Sequence, residues 1–226
     1  MYITKTVARS MDKNESIKLL EKSKPSCMIR KTISSRLGEN AGNAVWNRAA
    51  EILSEITNRY PPFSAKEYRH VKGIFNAASL YFALKEQTPD NARVLIENGM
   101  ALYAKKRASS FRKMVKLPFG RTIFLKVFAM GTKTAFGEDA GFKQCFHHAD
   151  SKDLRFDILT CPYAKYTTEL GCPEITHIFC NNDIYAYGAL KGITFERTQT
   201  LGTGGGKCDF HLYKTLKRTE IPPRIK

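Results

Sequence analysis

Three cysteines between Arg155 and Phe210 have neighbours that could give them chemical work. Cys161 follows an apparent strand, Phe156–Thr160, and precedes a helix starting at Pro162. Free backbone N–H groups at a helix start favour a thiolate, so a lowered pKa is expected there. A buried, inert thiol at a strand end would leave the same trace in the sequence. Cys180 and Asp183 are three residues apart on a helix expected over Pro173–Leu190, and His177 lies three before Cys180. That stripe shares one face and could hold a nucleophile, a proton-transfer group and an orienting carboxylate. It could equally offer metal ligands, or be a half-buried face with satisfied hydrogen bonds. In the expected last strand, Cys208 and Phe210 point to one side and Asp209 and His211 to the other. Cys208 is therefore a candidate to face Cys180 and Cys161. Arg197 could anchor a carboxylate, because a guanidinium binds two oxygens at once. Three cysteines with a His or carboxylate could hold zinc, but no C-x-x-C pair occurs in the chain. No cofactor is expected; zinc is the one metal the thiols could take.

The elements that must position these residues read as helices first and strands later. Residues 1–40 are polar and weakly periodic, with Pro25 and Gly38 as breaks, and predict a flexible or loosely docked arm with a short helix over Ser16–Glu21. Apolar residues then recur at three- and four-residue spacing from Ala44 to Ile56, ending at Pro61-Pro62. Ser64 reads as an N-cap with Glu67 at the capping-box position, and a third helix is expected from about Ala92 to Met114. Ile123–Met130 predicts an apolar helix or buried segment. Past Gly131, Gly141–His148 and Arg155–Leu159 alternate as an antiparallel hairpin. A helix over Tyr163–Leu170 closes at Gly171. Gly192–Leu201 alternates as a strand, and Gly202–Gly206 turns the chain into a final strand, Cys208–Tyr213. That glycine run lacks the ending of a phosphate loop and leads to no helix. The expected fold is α+β: an N-terminal helical layer on an antiparallel sheet of about four strands with two inserted helices. The expected division is an arm over 1–40 and one domain over 41–226, whose helical part is 41–130 and whose sheet part is 131–215, ending in a basic tail, 216–226.

Charge is unevenly spread. Residues 1–126 carry 24 Lys+Arg against 10 Asp+Glu, and residues 127–226 carry 13 against 11, so the net +16 belongs to the first half. Its densest part, 101–126, holds eight basic residues and no acid. Lys105, Lys106, Arg107, Arg112, Lys113 and Lys116 alternate there with Phe111, Met114, Val115 and Leu117. The stretch reads as a solvated helix face with its apolar side in the core, or as a surface for a membrane or an anionic substrate. No nucleic-acid motif accompanies it, and nucleic acid is not expected as a partner. No apolar run reaches the length of a membrane span, and no secretory pattern opens the chain. A cytoplasmic protein with reduced thiols is expected. A helical layer of this kind could also bury itself in a homo-oligomer. Trp46 reads as core, Cys27 and Cys145 have no motif around them, and Cys172, just past Gly171, reads as exposed.

The stretch from Arg155 to Phe210 resembles the L-2-amino-thiazoline-4-carboxylic acid hydrolase family. The resemblance rests on Cys161-Pro162, Gly171 with Pro173-Glu174, Cys180-x-x-Asp183, Arg197-Thr198-x-Thr200 and Gly206-x-Cys208-Asp209-Phe210. It implies a hydrolase that opens a small cyclic amidine or amide, of the class acting on non-peptide C–N bonds. The implied substrate is the 2-aminothiazoline-4-carboxylate ring, giving an N-carbamoyl-cysteine type of product. Under that resemblance Cys180 is the expected nucleophile and Asp183 moves protons or orients the amidinium. Cys208 and Cys161 line the pocket or take the nucleophile's place, and Arg197 holds the substrate carboxylate. Thr198, Thr200, His177 and Asp209 complete the substrate side. A more distant similarity, to the four-vinyl-reductase type of small-molecule-binding domain, supplies the alternative: a non-catalytic sensor or binding module, with a cysteine-bound zinc as one form.

Overall fold

A computed structural model of the chain describes residues 11–215. Two helices occupy most of the stretch expected to be a loose arm: α1 (Lys13–Lys22) and α2 (Lys24–Leu37). Asp12 caps α1 in a reciprocal box with Glu15, Ser23 caps α2, and Pro25 sits in the first turn of α2, where its missing N–H costs nothing. Pro25 and Gly38 thus interrupt the helices as read from the sequence, at the start and the end of α2. Leu20, Ile29 and Ile33 are fully buried, so residues 13–37 are part of the core. Their few apolar residues fall on the inner face, and low average hydrophobicity concealed this. The first residues of the expected arm and the basic tail lie outside the described residues.

Gly38 turns the chain into α3 (Glu39–Asn58), followed by α4 (Ala65–Gln87), α5 (Ala92–Lys116) and α6 (Gly120–Ala135). Ser64 caps α4 as expected, but the Glu67 carboxylate accepts from the Tyr166 hydroxyl (2.7 Å). At Gly99 a β-carbon would stand 2.5 Å from the Cα of Ile29, so α2 and α5 approach closely because position 99 has no side chain. The helical core holds Trp46, Leu53, Phe75, Leu80 and Ile96.

The second core lies under the sheet. Strands β1 (Lys143–Ala149) and β2 (Asp153–Thr160) form the expected hairpin, then come α7 (Pro162–Glu169), a 3-10 turn over Pro173–Ile175 and α8 (Thr176–Tyr187). Strands β3 (Ile193–Glu196) and β4 (Cys208–Lys214) complete an all-antiparallel sheet of order β1-β2-β4-β3. Inward residues of β2 and β4 (Leu154, Phe156, Ile158; Cys208, Phe210, Leu212) pack on Phe124 and Leu125 of α6. Phe156 stacks on Phe210 at 4.8 Å and on Phe146 at 5.2 Å, making an aromatic ladder across three strands. The architecture is α+β, as expected.

Two local expectations fail. The strand expected over Gly192–Leu201 ends at Glu196, for a reason given below. The helix expected from Pro173 begins at Thr176. Ile123–Met130 lies in helix α6, one of the two forms expected for it, with Ile123, Val127 and Met130 facing outward.

Candidate active site

The end of β3 is set by one carboxylate. Asp209 on β4 accepts from the Thr198 amide (3.0 Å), the Thr198 hydroxyl (2.5 Å) and the Gln199 amide (2.8 Å). Those bonds stand where ladder bonds would have continued the strand, and they lead the chain off the sheet. Burial alone would raise the Asp209 carboxyl, but the donors outweigh it and hold the group below its ordinary range. Asp209 and Thr198 are thereby spent on shaping the loop.

The redirected backbone turns Arg197 inward, where its side chain is only 6% exposed. One guanidinium nitrogen donates to Asp183 Oδ2 (2.8 Å) and another to the Cys180 carbonyl (3.1 Å), while the plane lies 5.5 Å from the Phe210 ring. Asp183, on α8, is 30% exposed, but that exposure opens into a cavity of about 300 Å³. The walls are Phe111 of α5, Phe128 of α6, Phe156, Tyr187 and Phe210. Among such rings burial pushes the Asp183 carboxyl up to about 6, although Arg197 and, more weakly, Arg107 pull it down. Arg107 of α5 also lines the cavity, and its guanidinium has no ion-pair partner among the described residues. The cavity therefore sets one carboxylate and one available cation on aromatic walls. A second cavity, of about 400 Å³, lies between α2, α4 and α8 and shares Arg107, but no carboxylate lines it. Of the two, the first has a carboxylate on its wall.

The three thiols are near one another, but none of them lines the cavity. Cys161, Cys180 and Cys208 lie close enough for charge on one to be felt by another. The Leu201 amide donates to Cys208 Sγ at 3.3 Å, while Thr200 and the Gly202 backbone lie near the Cys180 sulfur and oppose the rise of its pKa. The amides of Ala164 and Tyr163 do point at Cys161, as its place at the start of α7 implies. Burial nevertheless dominates: Cys161 is pushed up to about 12, Cys208 to about 11, and Cys180 is raised too. The lowered thiol pKa expected at Cys161 is not found, because the helix-start effect is smaller than the cost of a buried charge.

The remaining expectations separate clearly. Arg197 is committed to Asp183 and Cys180 and is not a free carboxylate anchor. The His177 ring faces Glu97 of α5 at 3.9 Å. Cys172, read as exposed, is fully buried. Among the described residues no three His, Cys, Asp or Glu side chains are placed to hold one metal ion.

Two groups beside the site escaped the sequence reading. His70 Nε2 donates to the Ala135 carbonyl (2.8 Å), which leaves Nδ1 to accept from the Tyr163 hydroxyl (3.1 Å). Burial lowers the His70 pKa and keeps the ring neutral. Tyr163 touches both cores, and its place directly after Cys161-Pro162 was the one available signal. Arg107 was visible only as one of eight cations in a basic run.

The loop over the thiols is tightly packed. A β-carbon at Gly202 would stand 2.8 Å from Cys180 Sγ and 2.9 Å from Thr176 Cγ2. Gly202→Ala is expected to cost about 1–3 kcal/mol by overpacking, read as an earlier midpoint in urea unfolding. An unchanged midpoint would mean that the loop moves freely away from Cys180.

No curated protein and no solved structure matches this chain. A family model described as L-2-amino-thiazoline-4-carboxylic acid hydrolase matches residues 67–212, well over half of the chain and all of the site from Arg107 to Asp209. The matched span takes in α4 through β4 and leaves α1–α3 outside it. With the aromatic cavity, its carboxylate and the buried thiols all inside those limits, the chain belongs to the L-2-amino-thiazoline-4-carboxylic acid hydrolase family.

Proposed function

We propose that the protein hydrolyses a small ring containing an amidine and carrying a carboxylate, with Asp183 as the proton-transfer group and Arg107 as the anchor. The observation that carries this reading is a single carboxylate, raised to about 6, on the wall of an aromatic cavity that also holds an available guanidinium. A planar amidinium fits against Asp183, a carboxylate fits Arg107, and the ring between them packs on Phe128 and Phe210. The family supports 2-aminothiazoline-4-carboxylate as the first substrate to try.

In this reading Asp183 takes a proton from water as its oxygen adds to the carbon between nitrogen and sulfur. Collapse of the tetrahedral adduct breaks the C–S bond, and Asp183 returns the proton to the departing thiolate. The product is a ureido acid that keeps its sulfur as a free thiol, so forming the N-carbamoyl product breaks the ring C–S bond rather than the ring C–N bond. A route through Cys180 needs Asp183 first to remove a proton from a thiol that burial keeps neutral. Water attack is the simpler route. The thiols, none of which lines the cavity, then serve as packing groups.

The test is a ring-opening assay that titrates the released thiol. Wild type and Cys180→Ala are expected to turn over, and Arg107→Ala is expected to raise KM roughly ten- to a hundredfold with a smaller change in kcat. Loss of all turnover in Cys180→Ala, with binding retained, would restore the cysteine nucleophile. Binding of carboxylated cyclic amidines by the wild type without any turnover would favour the non-catalytic sensor reading. That alternative draws on the same aromatic cavity and neutral thiols.

A further inference from the structure

The connection between α5 and α6 exposes apolar side chains that no element among the described residues covers. Leu117 is 62% exposed, Phe119 83%, Ile123 48%, Val127 48% and Met130 64%. On α6 the spacing of Phe119, Ile123, Val127 and Met130 places them in one stripe along the outer face, opposite the buried Phe124 and Leu125. The helix is thus apolar on both sides, which for an isolated surface helix is unfavourable. Phe119 adds a second cost: at φ +57 it is in the left-handed region, where Asn or Gly would sit with less strain. A bulky ring stands at the most exposed point of the turn.

The charges around this stripe are of one sign. From Glu97 to Glu138 the intervening residues include nine Lys or Arg and no acid. Lys113 and Lys116 flank the Leu117–Phe119 tip, and helical spacing puts Lys126 and Lys133 along one border of the stripe. Lys113, Lys116 and Lys126 are exposed and have no ion-pair partner among the described residues. An apolar stripe with a cationic border matches a lipid surface with anionic headgroups: the side chains enter the acyl boundary and the lysines meet the headgroups. A second copy of the same face would bring like charges together. A nucleic acid would answer the lysines but leave the Leu, Phe, Ile, Val and Met side chains uncovered.

We propose that the tip Leu117–Phe119 and the outer face of α6 dock on an anionic membrane surface without crossing it. The geometry gives this docking a consequence for the cavity. Val127 belongs both to the exposed stripe and to the cavity wall, beside Phe128, so the cavity lies next to the docking face.

The test is co-sedimentation of the full chain with vesicles of phosphatidylcholine alone and of phosphatidylcholine mixed with phosphatidylglycerol. Wild type is expected to sediment with the mixed vesicles and not with the neutral ones, and added salt should release it. Neutralising Lys113, Lys116 and Lys126 to Gln is expected to weaken binding about a hundredfold. Phe119→Asn, which relieves the backbone, is expected to fold at least as stably and to weaken binding tenfold or more. Equal sedimentation of all variants, or none by the wild type, would overturn the proposal. So would a dimer in solution that Phe119→Asn dissociates, since the face would then belong to a second copy. Retention on duplex DNA that survives Phe119→Asn and fails in the lysine variant would assign the charge to nucleic acid and overturn it as well.

Discussion

An Asp183→Asn protein is expected to bind the cyclic amidine and to open it roughly a hundred- to ten-thousandfold more slowly than the wild type. The amide keeps the size and the hydrogen-bonding shape of the side chain but can neither accept a proton from water nor return one to the departing sulfur. The pH profile of the wild type follows from the same group. Burial among Phe128, Tyr187 and Phe210 lifts the carboxyl to about 6, against the opposing pull of Arg197 and Arg107, and the reaction needs its ionised form. Turnover should therefore hold above about 6 and fall as pH drops through that value. Stability runs the other way: a carboxyl raised by folding contributes fully below its ordinary range, and that contribution is gone once pH passes about 6. The measurement is kcat/KM against pH for the wild type, with single-turnover rates for Asp183→Asn. A variant with undiminished turnover, or a wild-type profile flat from acid to neutral pH, would remove Asp183 from the chemistry.

The order of helices then strands could be read directly, because both periodicities are strong: Ala44 to Ile56 and Ala92 to Met114 carry helical spacing, while Phe142–Phe146 and Cys208–Leu212 alternate. The site could be read as a set of residues but not as a set of partnerships. Asp183 and Arg197 were both visible, yet spacing along a chain cannot show that a guanidinium is consumed by a carboxylate 14 residues away. The misassigned thiol has the same origin. A helix start is a local feature and was correctly placed at Cys161, whereas the burial that outweighs it comes from α7, α8 and β4 meeting in space. Residues 13–37 were underestimated because three well-placed apolar side chains, Leu20, Ile29 and Ile33, can dock two polar helices. The helix over Ile123–Met130 was one of two forms expected, and its outer stripe shows what spacing leaves open. Its apolar residues allowed burial, and only the packed fold reveals which half of them remains outside.

Arg197→Gln is expected to move the acidic limb of the rate profile upward and to destabilise the fold together. Arg197 is the group that pulls the Asp183 carboxyl down most strongly, so its removal lets the carboxyl rise above about 6. At neutral pH a smaller share of the enzyme would then be ionised, and activity lost there should partly return as the solution is made more alkaline. That recovery separates a titration effect from damage to the cavity, which no pH would repair. The fold suffers because the guanidinium is also a buried strut: it bridges Asp183 Oδ2 and the Cys180 carbonyl and packs on Phe210 and Phe195. Breaking one side of such a pair leaves the other charge uncompensated, and a cost of about 3 kcal/mol is expected. This is the low end for buried pairs, since Asp183 retains access to the cavity. Arg197→Lys keeps the charge but loses the two-point contact, so its limb should move less than that of Arg197→Gln while its stability still drops. Urea unfolding gives the first quantity and the pH dependence of kcat/KM the second. An acidic limb that stays in place in Arg197→Gln would mean that Asp183 is not the titrating group, whatever happened to stability.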